Sequence, residues 1–379
     1  MTIIRKGMLL TLALFLTACG GSDNSTPTDD TAPSAQQALE AEFGFWLQDM
    51  TDAHIEPGYR VLAEEARRLA SSASDFCLLA TPGEQDLHQL QEDWRQTNRA
   101  WQHIQWLKLG PILEESRLFR LQFWPDSNEA VTKGLAALLN SPETVTPEYI
   151  ASRNVGAQGL PAAEQLLFAK AAETSLLTGQ DGIKRCEVLV AITENISSIG
   201  RTLVHAWSDA GGGYGQTFKT GGGEFNGRID VVEEVVTNWL EQLEKVKDKK
   251  LMVPLGSDIP GLPDEAESPL SDESLTNIRI NLDALSQIYT ANGRHGFDDI
   301  LTGHLQQDGI AREMTEILAR LQSDIGKLQM GLTQAISEES ERQLLQQVID
   351  DLRDFRTVLA ADFIQALDIN IGFNSNDGD

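Results

Sequence analysis

The 379-residue chain holds 57 acidic against 30 basic residues, a formal net charge of −27 at neutral pH, and 41% of it is hydrophobic. Such a charge repels nucleic acid and anionic lipid, so neither is an expected partner, while the length and apolar share suit two domains better than one small core. The negative field attracts cations in general without marking a metal site.

Taken from the start, Arg5 and Lys6 precede an apolar run from Met8 to Leu16 that is too short to cross a bilayer. It ends in Leu16-Thr17-Ala18-Cys19, the lipobox pattern of lipoprotein signal peptides. Residues 1–18 are therefore expected to be an export signal and Cys19 the lipidated first residue of the mature protein. The alternative is an ordinary secretory signal with a chance cysteine. Loss of Arg5 and Lys6 takes the net charge from −27 to −29. Residues 19–35, rich in Gly, Ser, Thr, Asp and Pro, read as a flexible tether. Gly20, rather than an aspartate, follows the cysteine, which by the Gram-negative sorting rule favours the outer membrane, the body facing the periplasm or the cell surface. No later run has the length and apolarity of a membrane span, so the lipid is the expected anchor.

From there the periodicity is helical. Leu87, Leu90, Trp94 and Trp101 form one stripe, and Val188/Leu189, Ile192, Ile196, Ile199, Leu203 and Ala206/Trp207 another. Met314 to Leu332 and Leu344 to Leu359 repeat the pattern, and alternating strand-type runs are almost absent. The expected fold class is all-α. Cys77 and Cys186, an even pair in an exported protein, are expected to form a disulfide, with a thiolate metal ligand as the alternative. Two glycine triplets, Gly211 to Gly213 and Gly221 to Gly223, break the helical pattern at about 1 kcal/mol per glycine. They place a linker at 211–227 between an N-terminal bundle, 36–210, and a C-terminal bundle, 228–379. No Lys-Ser/Thr follows these glycines and no strand precedes them, so they are not a phosphate-cradling loop. Pro254 to Pro269 is a second irregular stretch that could cover a cleft. Two bundles of about four helices each leave the cleft between them as the natural site.

Chemistry-bearing patterns are sparse. The six histidines form no HExxH, and no Gly-x-Ser-x-Gly is present. His205 and Asp209 share a helical face and read as a capping or solvated pair. His295-Gly296-Phe297-Asp298-Asp299 gathers a histidine and two carboxylates where one helix ends and the next begins, which is either a turn or a ligand cluster. Arg117 with Trp124, Pro125 and Asp126 reads as a structural corner with an arginine partner or as part of a site. Trp94, Trp101 and Trp106 are expected in the core. In Gly159-Leu160-Pro161-Ala162-Ala163-Glu164, Gly159 allows a turn, Pro161 suits the first helical position, and Glu164 lies where the helix dipole favours a carboxylate.

That last segment resembles the Gly-x-His-x-x-Glu motif of the imelysin-like family, with Pro161 in the histidine place. The resemblance extends to Trp94–Pro111 followed by Arg117 and Phe123-Trp124-Pro125-Asp126, to Pro254-Leu255-Gly256, to Ser274-Leu275-x-Asn277-Ile278-x-x-Asn281-Leu282, to Gly296-Phe297-Asp298-Asp299, and to Ala366-Leu367 with Gly372-Phe373 and Asp377-Gly378-Asp379. It spans nearly all of residues 38–379, with the pieces in order. The resemblance implies two helical bundles, export to the periplasm or cell surface, association with bacterial iron uptake, and classification with metallopeptidases. Of the motif's proposed ligands only Glu164 carries over, because proline has no lone pair for a metal and cannot act as a base. A metal set of Glu164, His295, Asp298 and Asp299, with Asp126 as a further candidate ligand, would suit iron or another divalent metal. Gly159, Pro161, Glu164, Arg117, Trp124 and Asp126 are the expected cleft residues. Three functions follow: a non-catalytic iron-acquisition protein binding metal or an uptake component, a metallopeptidase in which His295 replaces the missing histidine, and a metal-independent interaction module.

Overall fold

The computed structural model describes residues 34–126, 128–178 and 182–371, and among these it contains helices and no strand. The expected signal peptide, Cys19 and the tether through residue 33 lie outside the described residues, as do Gly372, Phe373 and Asp377 to Asp379. The tether is expected to run to residue 35, but Ser34 already opens the first helix. Its hydroxyl accepts from the Gln37 amide at 3.2 Å while the Gln37 side chain accepts from the Ser34 amide at 2.9 Å, a reciprocal cap. No helix of the described residues is long and apolar enough to cross a membrane.

The principal helices are α1 (Ala35–Met50), α2 (Glu56–Leu78), α3 (Glu84–Ile104), α4 (Ala130–Leu139), α5 (Gly159–Phe168), α6 (Gly182–Trp207), α7 (Tyr214–Thr220), α8 (Arg228–Glu244), α9 (Ser274–Thr290), α10 (Asp308–Lys327) and α11 (Glu339–Val358). The apolar stripes of α3, α6, α10 and α11 are the buried faces of these helices, and Trp94, Trp101 and Trp106 are in the core. Each large side chain so buried contributes about 1.5–3 kcal/mol. In the first half α2 and α6 lie side by side, with α3 on α2 and α5 on α6; in the second, α10 packs on α11. The expected disulfide is formed: Cys77 at the end of α2 joins Cys186 near the start of α6 with 5.5 Å between Cα atoms.

Two features depart from the simple division at residues 211–227. The glycine-rich segment is not a bare linker, because it contains α7, with Phe218 buried against Trp207 at 5.4 Å between ring centroids. Gly213 and Gly221 flank it with φ of +68° and +66°, so these glycines supply the left-handed turns at its ends. The first helix also crosses over: α1 packs on α8, and Trp46 Nε1 donates to the Ile288 carbonyl of α9 at 3.2 Å. Its ring stacks on Phe297 at 4.2 Å. One continuous hydrophobic cluster results.

The seam between the halves is closed along α3 and α9. Arg99 makes two bonds of 2.8 and 2.7 Å to Glu273, and Asn98 donates to Asn277 at 2.7 Å. Beyond this packed stretch the seam opens into two cavities lined from both halves.

Candidate functional site

The motif segment is built from its first residue. The buried side chain of Gln158 accepts from Asn195 Nδ2 at 2.9 Å and from Arg120 Nε at 3.2 Å, which pins the chain as it enters α5. Gly159 follows with φ of +80°, and a Cβ there would lie 2.5 Å from the carbonyl oxygens of both Arg120 and Leu121. Only glycine tolerates that conformation and that approach together. Pro161 sits in the first turn of α5, where its missing N–H costs nothing, and its ring faces a cavity.

Glu164 comes one turn later, 5% exposed. Its Oε1 accepts from the Ser271 backbone N–H at 2.9 Å and from the Ser271 hydroxyl at 2.7 Å. Burial pushes its pKa up to about 7; the bonds from Ser271 oppose the rise and the charge of Glu267 adds to it. The helix-dipole explanation of this residue is thus replaced. The carboxyl ties α5 to a residue 107 positions away, and desolvation, not its helix end, sets its protonation.

The cavity beside Glu164 has a volume of about 290 Å3 and is lined by residues 122–126, Pro161, Gln165 and residues 264–270, the irregular proline-rich stretch. Gln122, Trp124 and Pro125 form a wall shared with a second cavity of about 550 Å3, and the Trp124–Pro125 peptide is cis. Trp101, Phe119 and Lys245 line this second cavity.

Under the shared wall lies a polar network absent from the sequence expectations. Lys250 Nζ donates to Glu267 at 2.7 Å, Gln102 at 2.8 Å and Asn281 at 2.6 Å, and Lys250 and Glu267 are only 1% and 2% exposed. Asn277 Nδ2 and Gln122 Nε2 donate to the two Glu267 oxygens at 3.0 and 2.9 Å. Burial pushes the Glu267 pKa up, but Lys250, Lys245 and these bonds outweigh it and hold the group below the ordinary value. Burial drives the Lys250 pKa down, against the pull of Glu267. Both lysines arise from the stretch Lys245–Met252, where α8 continues as a π-helix; i→i+5 winding brings residues five apart toward one face.

The remaining expected site residues are placed as follows. Arg117 does not pair with Asp126; its guanidinium donates to the Pro111 carbonyl and to Glu114, each at 2.8 Å, and lies 3.1 Å from Glu115. Asp126 accepts from the amides of Ala130 and Val131, each at 2.8 Å, and so caps α4 while bordering the first cavity. His295 Nε2 meets Glu42 at 2.7 Å and its backbone N–H donates to Asp49 at 3.2 Å, fastening the 295–299 turn to α1. Asp299 accepts from the Gly296 amide at 3.1 Å, and Asp298 has its pKa raised by burial and then by Asp299. His205 and Asp209 are exposed.

The proposed metal set is therefore split between two surroundings, Glu164 on Ser271 and residues 295–299 on α1. Among the described residues no three His, Cys, Asp or Glu side chains are grouped to hold a metal ion. The donors around the first cavity do not fit a resident metal: Glu164 is bonded to Ser271, Glu267 to Lys250, Asp126 to two helix amides, and Pro161 offers no lone pair.

A second polar cluster is also new. His54, in the π-helical Thr51–Ile55, receives the Trp106 indole N–H on Nε2 at 3.0 Å, which leaves Nδ1–H to donate to Gln287 at 2.8 Å. Burial, then the neighbouring His103, pushes its pKa down to about 3, so it stays neutral. The signal for the Lys250 network lies in and just after α3. Asn98, Gln102 and Gln105 follow the same three- and four-residue spacing as Trp94 and Trp101, which places amides on a core-facing stripe.

Comparison with known proteins matches residues 55–359 to the family model for imelysin. No curated protein matches the chain. The fold is similar to that of an imelysin-like protein from Psychrobacter arcticum 273-4, with a TM-score of 0.71 and 18% identity over 88% of this chain and 98% of that one. It is also similar to a protein described as an iron-regulated protein A precursor from Parabacteroides distasonis ATCC 8503, with a TM-score of 0.68 and 14% identity over 86% and 95% of the two chains.

Proposed function

This chain belongs to the imelysin family, and from that premise we propose that it is a non-catalytic member serving iron acquisition, which binds a component or ligand of the uptake system in the cavity beside Glu164. It acts as a lipoprotein, anchored through Cys19 at the outer membrane with its body facing the periplasm. The observation that carries the reading is the state of the motif itself. Pro161 stands on the cavity wall where the family pattern has histidine, and the remaining carboxyl is bonded to Ser271 with a pKa near 7. A carboxyl in that state is suited to hydrogen bonding with a ligand, not to holding a water-activating metal. The iron-regulated description of one structural neighbour supports the iron connection.

The test is growth under iron limitation. A strain lacking the protein is expected to grow normally in iron-replete medium and slowly when iron is chelated. Complementation by wild type restores growth, and Glu164→Leu, present at wild-type abundance, does not. Equal growth of the deletion strain under chelation, or full rescue by the variant, contradicts the reading. So does chelator-sensitive cleavage of casein by the purified wild-type protein supplied with zinc.

A further inference from the structure

The second cavity, on the other side of the Gln122–Trp124–Pro125 wall, has chemistry of its own. Its walls are aromatic, with Trp101 and Trp124 on the inside and the half-exposed Phe119 near the opening. Its floor is the amine of Lys245, 5.7 Å from the Trp124 ring centroid, with the Lys250 amine 5.9 Å from the same ring. Lys245 Nζ donates to the neutral amide oxygen of Gln105 at 2.9 Å.

The charges around the cavity decide what it attracts. Three carboxylates line it, and each is already matched: Glu241 by Lys108 at 2.7 Å, Glu244 by Arg356 at 2.5 Å, and Asp248 by Lys247. Below the floor, Glu267 is matched by Lys250. Among the described residues, neither Lys245 nor Lys249 has a carboxylate at ion-pair distance, and both line the cavity. In a chain of net charge −27, the recess thus holds two amines that no ion pair engages. Burial, then the adjacent Lys250 charge, pushes the Lys245 pKa down to about 7; the Glu267 charge pulls against this fall and the Lys108 charge adds to it.

We propose that this cavity is a binding site for a small aromatic carboxylate, whose ring packs between Phe119 and Trp124 and whose carboxylate is received by Lys245, with Lys249 at the rim. A volume of about 550 Å3 falls in the ordinary range for small-molecule sites. A monoanion is favoured over phosphate because, with Lys108 held by Glu241, the recess offers two separate amines, and its lining includes no arginine. The site goes beyond the iron-acquisition reading and does not depend on Glu164.

Because Lys245 must be protonated to receive the anion, binding takes up a proton and tightens as the pH falls through about 7. The test is calorimetric titration of the purified full chain with benzoate, which stays ionised throughout that range, and with its neutral counterpart benzamide. Benzoate is expected to bind once per chain, with benzamide and the Lys245→Met variant each at least about tenfold weaker. Wild-type affinity for benzoate is expected to rise about 25-fold between about pH 8.5 and pH 6.5. Absence of saturable benzoate binding, equal binding of benzamide, or unchanged binding by Lys245→Met overturns the proposal. Should that variant fail to fold, the wild-type pH series decides, and an affinity that does not change with pH overturns it equally.

Discussion

Glu164→Gln removes one proton equilibrium while leaving an oxygen for Ser271 to bond, so it isolates the energetic consequence of burying this carboxyl. The pKa of about 7 against an ordinary 4.5 corresponds to about 3 kcal/mol of preference for the protonated form in the folded protein. Because the folded value is raised, that stabilisation is fully present below about pH 4.5 and is lost as the pH rises through about 7; above it the folded protein carries a buried carboxylate. Urea unfolding of both proteins at about pH 5 and about pH 9 measures the effect, with pH responses elsewhere cancelling in the difference. The glutamine variant is expected to gain about 3 kcal/mol on wild type between the two conditions. Parallel stability curves would refute the argument, since they would mean that Glu164 ionises in the folded protein as readily as in water.

Other perturbations follow from the same geometry. Lys250→Met and Glu267→Gln should each cost about 3–5 kcal/mol by stranding a buried charge, and the double variant clearly less than their sum; additive losses in urea unfolding would contradict a coupled pair. Gly159→Ala should cost more than about 2 kcal/mol, since its Cβ would meet two carbonyl oxygens in a left-handed conformation; thermal melting reads it, and an unchanged midpoint counts against the described turn. Removing the Cys77–Cys186 link, which spans 109 residues, as the double alanine variant should cost about 3–5 kcal/mol; a loss under about 1 kcal/mol in urea unfolding would contradict that role.

How far the sequence disclosed this molecule depended on the range of the interaction. The stripes on α3, α6, α10 and α11 are local patterns, and the buried faces follow them. The disulfide was legible because only two cysteines remained to pair. The glycine triplets read as a boundary because glycine disfavours helix interiors, but at Gly213 and Gly221 it serves the ends of a short helix whose Phe218 is buried. Lys250, Gln102, Glu267 and Asn281 come from four separate segments, and no local spacing announces their meeting. Grouping Glu164 with His295 rested on residue chemistry alone, whereas the fold commits each to a different neighbour, Glu164 to Ser271 and His295 to Glu42 of α1.

The central claim, that the motif carboxyl is a protonated hydrogen-bonding group and not a metal ligand, is tested most directly by infrared difference spectroscopy of wild type against Glu164→Gln. The account predicts a protonated carboxyl band at about pH 6 that is absent from the variant, fades through about pH 7, and persists when iron or zinc is added. An ionised carboxylate at about pH 6, or a band abolished by one equivalent of metal, would contradict it.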